Sequence, residues 1–126
     1  MALGPVSQIH VSVTDLDRSV AFYRDVLGIP LLFVVPGQPM AFFASGDVRL
    51  YLGAPEPPEF ASKVTLYFTV EDIHAEALRL ADAGVAFLDK PHVVHRTGNS
   101  ELWMTFFPDP DGHHLALTEE RSTAPA

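Results

Sequence analysis

The sequence predicts an α+β fold of two tandem β-α-β-β-β units, which form a curled mixed sheet around a cavity with the helices outside. A strand pattern of period two runs directly into a helix pattern with apolar residues three and four apart. The same combination returns about 57 residues later, as expected for a duplicated supersecondary unit. Each unit leaves one sheet face bare, and two bare faces set together enclose a cavity.

The first copy of this pattern is HVSVTDLDRSVAFYRDVLG, residues 10–28. Its opening alternation predicts a strand with one buried face and with His10 on the other face. The apolar stripe that follows predicts a helix packed on the core. We expect Thr14 or Asp15 to cap the start of this helix, and Gly28 to end it in a left-handed turn.

Three further strands complete unit one, and a tight turn at Gly46-Asp47 separates the last two. These strands are predicted at residues 30–35, 40–45 and 48–53. We place unit one at about residues 6–53, a proline-rich linker at 54–61, and unit two at about 62–119.

The second copy is KVTLYFTVEDIHAEALRLADAG, residues 63–84. Asp72 is the expected N-cap and Gly84 the expected stop. Laid over the first copy, it sets Tyr67 opposite His10. Its further strands are predicted to begin at 86–88 and continue to residue 94, then to cover 101–107 and 115–118. The tail from residue 119 has no pattern and is expected to fray.

Composition excludes several classes of function. The 126 residues include no cysteine, which rules out disulfides, thiolate zinc sites and cysteine nucleophiles. A formal net charge of −8 argues against nucleic-acid binding and mildly favours cationic small molecules. The sequence shows no signal-peptide pattern and no apolar run of about eighteen residues, so we expect a cytoplasmic protein without membrane contact.

Two segments resemble the vicinal-oxygen-chelate superfamily: the opening HVSVTDLDRSVAFYRDVLG and the closing FPDPDGHHLAL. The resemblance extends from about residue 6 to residue 118. The superfamily includes glyoxalase I, extradiol dioxygenases, methylmalonyl-CoA epimerase, fosfomycin-resistance enzymes and bleomycin-resistance proteins. It therefore implies the fold and leaves the reaction open. It also implies a homodimer.

Metal-using members of this superfamily take histidine and glutamate ligands from inward positions on the first and last strands of both units, and the metal acts as a Lewis acid. By resemblance, those positions are His10, Tyr51, Tyr67 and Ala116. The family usually reads DPDGN-x-x-E-L where this chain reads DPDGHHLAL, so Ala116 replaces the glutamate. Catalytic metal sites generally use three protein ligands. We therefore predict no metal cofactor; in the alternative with a divalent metal, His10 is the only matching ligand.

We predict that a small-molecule ligand contacts a set of aromatic and imidazole side chains, which can stack on a planar molecule and donate hydrogen bonds to it. The set is His10, Tyr51, Tyr67, Trp103 and His114. His10 is also the candidate acid or base if a reaction occurs. The alternation over 101–107 leaves open which side of that strand lines the cavity.

Two further histidines and one arginine are not assigned to the ligand site. His92 and His95 are expected in a surface loop, because on a strand their spacing sends the two rings to opposite faces. Arg49 is predicted on the same side of its strand as Tyr51. We interpret it as a solvated residue at a strand end rather than as a contact for an anionic ligand.

The leading hypothesis is a metal-independent small-molecule-binding protein of the bleomycin-resistance-like branch, which sequesters an aromatic or cationic compound such as an antibiotic. The alternative is a lyase, isomerase or dioxygenase-like enzyme that uses a rearranged metal site or His10 as a base. A binding module that regulates a partner is a third option. Phosphate loops, nucleophile elbows and dinucleotide fingerprints are missing from the sequence.

Overall fold

The structure is a computed structural model that describes residues 2–54 and 61–123. The chain divides into two compact units, residues 1–63 and 64–126. Each unit contains a four-stranded mixed sheet and one helical segment. The predicted α+β class and the tandem β-α-β-β-β order are therefore confirmed. The linker predicted at 54–61 lies outside the described residues apart from its two ends.

Unit one forms a sheet with strand order β1-β4-β3-β2. Its elements are β1 (Gln8–Ser12), α1 (Leu16–Ala21), β2 (Leu31–Val34), β3 (Met40–Ser45) and β4 (Val48–Gly53). Strands β1 and β4 run parallel, and the other neighbours are antiparallel. The bounds of β3 and β4 are those predicted, because the two-residue turn between them fixes where both strands meet.

Unit two has the corresponding order β5-β8-β7-β6. Its elements are β5 (Thr65–Thr69), α2 (Ile73–Asp82), β6 (His92–Arg96), β7 (Ser100–Pro108) and β8 (His114–Ser122). Strand β8 runs past the predicted end of unit two, so the expectation of a frayed tail is wrong for residues 119–122. These residues pair with the start of β7.

The predicted strand start at residue 86 is also wrong, since the edge strand β6 begins at His92, although residues 92–94 of that prediction do lie in β6. Before it, the backbone N–H of Leu88 donates one hydrogen bond to the Phe106 carbonyl (2.8 Å). The Asp89 carboxylate then accepts from the Phe106 N–H (2.9 Å) and from the Thr105 hydroxyl (2.7 Å). The Asp89 side chain thus accepts a hydrogen bond that the backbone of a paired strand would otherwise accept, and regular strand pairing ends there.

Matching caps begin the two helices. The carboxylates of Asp15 and Asp72 each accept a hydrogen bond of 3.1 Å from the backbone N–H three residues further on, so Asp15 rather than Thr14 is the first cap. Gly28 and Gly84 have φ values of +77° and +100°, which suit glycine at the end of a helix. No helix of the described ranges combines the length and apolar character needed to cross a bilayer.

Helix α1 continues directly into a π-helical segment, Phe22–Val26, which the apolar periodicity did not predict. Tyr23 in this segment is fully buried, and its ring centroid lies 6.0 Å from that of Phe43 on β3. This contact identifies the sheet face that the helix covers. The covered face of unit one carries residues that are at most 2% exposed: Val11, Ala41, Phe43, Leu50 and Leu52.

The covered face of unit two includes a buried carboxylate, Glu119, which is 8% exposed. It accepts a hydrogen bond from the backbone N–H of Ile73, the first residue of α2 (2.8 Å). It also pairs with Arg121 through two hydrogen bonds of 2.9 and 3.2 Å. Because its lone pairs are occupied in this way, the desolvated charge is tolerated. Glu119 therefore ties β8 to the start of α2.

Candidate functional site

The candidate residues lie mainly on the sheet faces opposite the helices, which we call the open faces. In unit one, His10 pairs in register with Tyr51, and both alternate with residues of the covered face. In unit two, Tyr67 pairs with Ala116, which alternates with Leu115 and with Leu117 of the covered face. Each unit thus places two of the four family positions side by side on its open face.

The open face of unit one carries a continuous series of rings, which we call the ring row. The row takes one ring from each strand of the sheet: His10, Tyr51, Phe42 and Phe33. Their centroid separations, taken along the row, are 4.8, 4.9 and 4.9 Å. Tyr51 and Phe42 are stacked with an interplanar angle of 17°. Phe33, at the edge of the sheet, is 49% exposed, so the row offers aromatic surface that a planar molecule can cover.

His10 is oriented by the main chain. Its Nε2 lies 3.2 Å from the Gly53 carbonyl oxygen, and a carbonyl only accepts, so Nε2 carries the hydrogen in this contact. Nδ1 is then the nitrogen that remains for a ligand. The same residue, Gly53, also lies under the Tyr51 ring: a Cβ at this position would be 2.6 Å from Cε1 of Tyr51 and 2.9 Å from its hydroxyl oxygen.

On the open face of unit two, two rings close over the position where the family has its glutamate. Tyr67 and Phe106 flank Ala116 in register on either side. Their ring centroids are only 5.9 Å apart, edge to face, although a whole strand separates their backbones. Both rings must therefore lean over the Ala116 methyl group, which is fully buried.

The structure separates Trp103 from the other predicted ligand residues. Trp103 lies on the covered face, where its ring meets the His74 ring of α2 edge to face at 5.1 Å. Its Nε1 donates to Glu101 (3.2 Å), and the Arg121 guanidinium lies 4.7 Å from its ring centroid. These contacts explain Trp103 as part of the packing between β7, β8 and α2.

The two histidines of β6 do not follow the simple strand rule. A register shift between Val93 and His95 inserts a residue, as a β-bulge does. His92 consequently pairs with Met104 and His95 with Leu102, which both belong to the open face. The prediction that they lie in a loop, with rings on opposite faces if on a strand, is wrong for this reason.

His114 begins β8 on the open face and is exposed. It pairs with Thr65 on one side and Pro108 on the other, two positions before Ala116. Within residues 2–54 and 61–123, no three histidine, aspartate or glutamate side chains are grouped so that they would hold a metal ion.

Three aromatic residues of the open faces were not predicted from the sequence: Phe33, Phe42 and Phe106. A usable signal existed for Phe42. The two-residue turn between β3 and β4 pairs Ser45 with Val48, and counting back from this pair sets Phe42 opposite Tyr51. Phe106 holds the matching place in unit two, opposite Ala116.

Paired β-α-β-β-β units, with candidate ligand residues on the open faces, define the vicinal-oxygen-chelate class of proteins. The chain belongs to the Glyoxalase/Bleomycin resistance protein/Dioxygenase superfamily, whose sequence profile matches residues 6–117.

Relatives of known sequence or structure cover nearly the whole chain. Protein YraH of Bacillus subtilis is 31% identical, over 86% of this chain and 91% of its own length. The glutathione transferase FosA of Serratia marcescens is 30% identical, over 91% of this chain and 80% of its own length. TnmS3, an antibiotic-binding protein from Streptomyces sp. CB03234, has 28% identity and a TM-score of 0.76, covering 94% of this chain and 98% of its own.

Proposed function

We propose that the protein binds a small aromatic compound on the ring row, without a metal ion, and acts by sequestering it. The ring row is the observation that carries this proposal. Four rings spaced 4.8–4.9 Å apart present a broad apolar surface, and His10 and Tyr51 add polar groups at one end. Apolar walls with a few placed polar groups are typical of small-molecule sites.

The relatives support a small-molecule ligand and allow both sequestration and catalysis. TnmS3 is named as an antibiotic-binding protein, whereas FosA is named as a transferase. An antibiotic is therefore a reasonable ligand class for this chain. The sequence left open an aromatic or a cationic compound, and the ring row favours the aromatic one. A homodimer stays a prediction from the resemblance.

The donor set at the family positions does not fit a divalent metal. It comprises one imidazole, two phenols and one methyl group: His10, Tyr51, Tyr67 and Ala116. The His10 Nε2–H is directed at the Gly53 carbonyl (3.2 Å), which leaves Nδ1 as the single imidazole nitrogen that could coordinate an ion at these positions. In unit two, the Tyr67 and Phe106 rings meet at 5.9 Å on either side of Ala116 and add no carboxylate there. These features support binding without metal.

Removal of metal is the first test of the proposed function. The probe is 2-naphthalenemethanol, a neutral planar aromatic, titrated by calorimetry into protein purified without chelator. We expect EDTA to change its Kd by less than about twofold, because no ion takes part in stacking. A thermal-shift screen over metals, glutathione adducts, thioesters, catechols and glycopeptide antibiotics then searches for the natural ligand.

One tightly held Ni, Zn, Fe or Mn per chain, lost in His10→Ala, would contradict metal independence and favour the enzyme alternative. Stabilisation of the protein by metal alone would count in the same direction. A hit on an aromatic drug that survives chelation would support sequestration.

A substitution at Gly53 tests whether the ring row must stay intact. In Gly53→Ala, the new Cβ would lie 2.6 Å from Tyr51 Cε1, so the Tyr51 ring must swing away from its neighbours. We expect the Kd for 2-naphthalenemethanol to rise about fivefold, the equivalent of one lost aromatic contact. The free energy of unfolding should change by less than about 1 kcal/mol, because the backbone suits alanine.

Gly98→Ala is the matched control, since a Cβ at Gly98 would meet nothing within 4 Å. Its Kd should equal that of the parent protein. Equal probe binding by Gly53→Ala and Gly98→Ala would show that the Tyr51 ring position is irrelevant to binding.

A further inference from the structure

Arg49 adds a positive charge to the ring row, and we infer that it selects aromatic ligands that carry a carboxylate. This inference rests on the proposed function, because it assumes that the ring row binds the aromatic part. It goes further in naming the ligand class, a planar aromatic acid, and the residue that distinguishes it from neutral and cationic analogues.

The position of the guanidinium is the first observation. Arg49 is an exposed residue of β4 on the open face, two positions before Tyr51. Its guanidinium carbon lies 5.7 Å from the centroid of the Phe42 ring, within the range of a cation–π contact. The charge therefore lies beside the stacked pair of the ring row.

The second observation is that no carboxylate of the described residues pairs with Arg49. Four other arginines, by contrast, each form an ion pair with a neighbouring aspartate or glutamate: Arg24, Arg79, Arg96 and Arg121. In register, Arg49 is flanked by Gln8 on β1 and Ala44 on β3, and neither is charged. The nearest acidic residue in sequence is Asp47, in the turn that precedes β4.

The chemistry of these groups specifies the ligand. A guanidinium donates two parallel hydrogen bonds to a carboxylate, while the edges of the Tyr51 and Phe42 rings, whose faces are stacked on one another, can contact a planar ring edge to face. An aromatic acid satisfies both at once. The whole chain carries a formal charge of −8, which repels anions at long range. A measured preference for the anion must therefore arise locally, from Arg49.

The test compares three naphthalene probes with an anionic, a neutral and a cationic substituent at the same ring position: 2-naphthoate, 2-naphthalenemethanol and 2-naphthylmethylammonium. Calorimetric titrations of the full chain at pH 7 and low salt should give the lowest Kd for the naphthoate and the highest for the ammonium. We expect a gap of about fivefold between naphthoate and alcohol, the range of a solvent-exposed ion pair. Added salt should narrow the gap.

Arg49→Gln should remove the gap by weakening naphthoate alone, and Arg49→Glu should reverse the order of the two charged probes. Arg24→Gln is the matched control: it removes the same charge from the exposed surface of the helical segment and should keep the gap. A gap that persists in Arg49→Gln would refute the role of Arg49.

The outcomes separate this inference from the proposed function. If the alcohol binds and the naphthoate binds no more tightly, Arg49 does not select anions, while ring-row binding stands. If none of the three probes binds the parent protein, both the ring-row function and the role of Arg49 are refuted.

Discussion

Tyr51→Ala should raise the Kd for 2-naphthalenemethanol about thirtyfold. Tyr51 lies inside the ring row and contacts His10 at 4.8 Å and Phe42 at 4.9 Å. Its removal deletes one stacking surface and leaves these two neighbours without a common partner. The lost contact with the ligand contributes about 1 kcal/mol, and ordering the two neighbouring rings on binding costs about as much again, so the binding free energy weakens by about 2 kcal/mol. Calorimetric titration measures it directly.

Tyr51→Phe is the control for this prediction. It keeps the ring and removes only the hydroxyl, so its Kd should stay within about twofold of the parent value if stacking dominates. Circular dichroism verifies that both variants are folded. Parent-like binding by a folded Tyr51→Ala variant would refute the ring row as the ligand site.

Glu119→Ala should lower the free energy of unfolding by about 2–3 kcal/mol. The substitution removes the acceptor of the Ile73 N–H at the start of α2 and breaks two hydrogen bonds with Arg121. A buried N–H left without a partner costs about 1–3 kcal/mol, and charge-assisted bonds are the stronger ones. Urea unfolding followed by circular dichroism gives the difference.

The effect of Glu119 should also depend on pH. Arg121, and after it the backbone N–H of Ile73, holds the pKa of the Glu119 carboxyl below its ordinary value. A carboxyl with a lower pKa in the folded than in the unfolded chain stabilises the fold above its unfolded pKa, about 4.3. That contribution is lost as the pH falls through the folded pKa. The difference in unfolding free energy between the parent and Glu119→Gln should therefore be largest near pH 7 and shrink below about pH 4.

The neighbouring Glu120 provides a matched control, because it is exposed on the opposite side of β8. Glu120→Gln should change stability by less than about 0.5 kcal/mol at any pH in this range. If Glu119→Gln and Glu120→Gln behave alike between pH 3 and pH 7, Glu119 does not fasten β8 to α2.

Local patterns in the sequence predicted the strands and the helix start of unit one. The alternation around His10 predicts which side that residue faces, and the aspartate caps predict where the helices begin. Tyr51, which pairs with His10 in register, was placed by the family resemblance, because no local pattern fixes the register of two parallel strands. By contrast, the two-residue turn before β4 fixes Phe42 opposite Tyr51. The three- and four-residue spacing of apolar residues also predicts correctly that the helix packs on the core. It did not predict the π-helical segment.

Unit two was less predictable because its connections do not fix register. Five residues separate β7 from β8, and a loop of that length is compatible with either face for Trp103. Its place on the covered face depends on tertiary contacts with His74 and Arg121. The bulge in β6 likewise moved His95 to the side of His92, and parity counting cannot anticipate an inserted residue.

The π-helical segment accounts for a difference in length between the helical stretches of the two units. From its aspartate cap to its terminal glycine, the helical stretch of unit one is one residue longer than that of unit two: Asp15 to Gly28 against Asp72 to Gly84. A π turn is closed by a hydrogen bond over five residues rather than four, so it holds one more residue than an α turn. The extra residue is thus accommodated inside the helical stretch, between an aspartate cap and a terminal glycine that both units share.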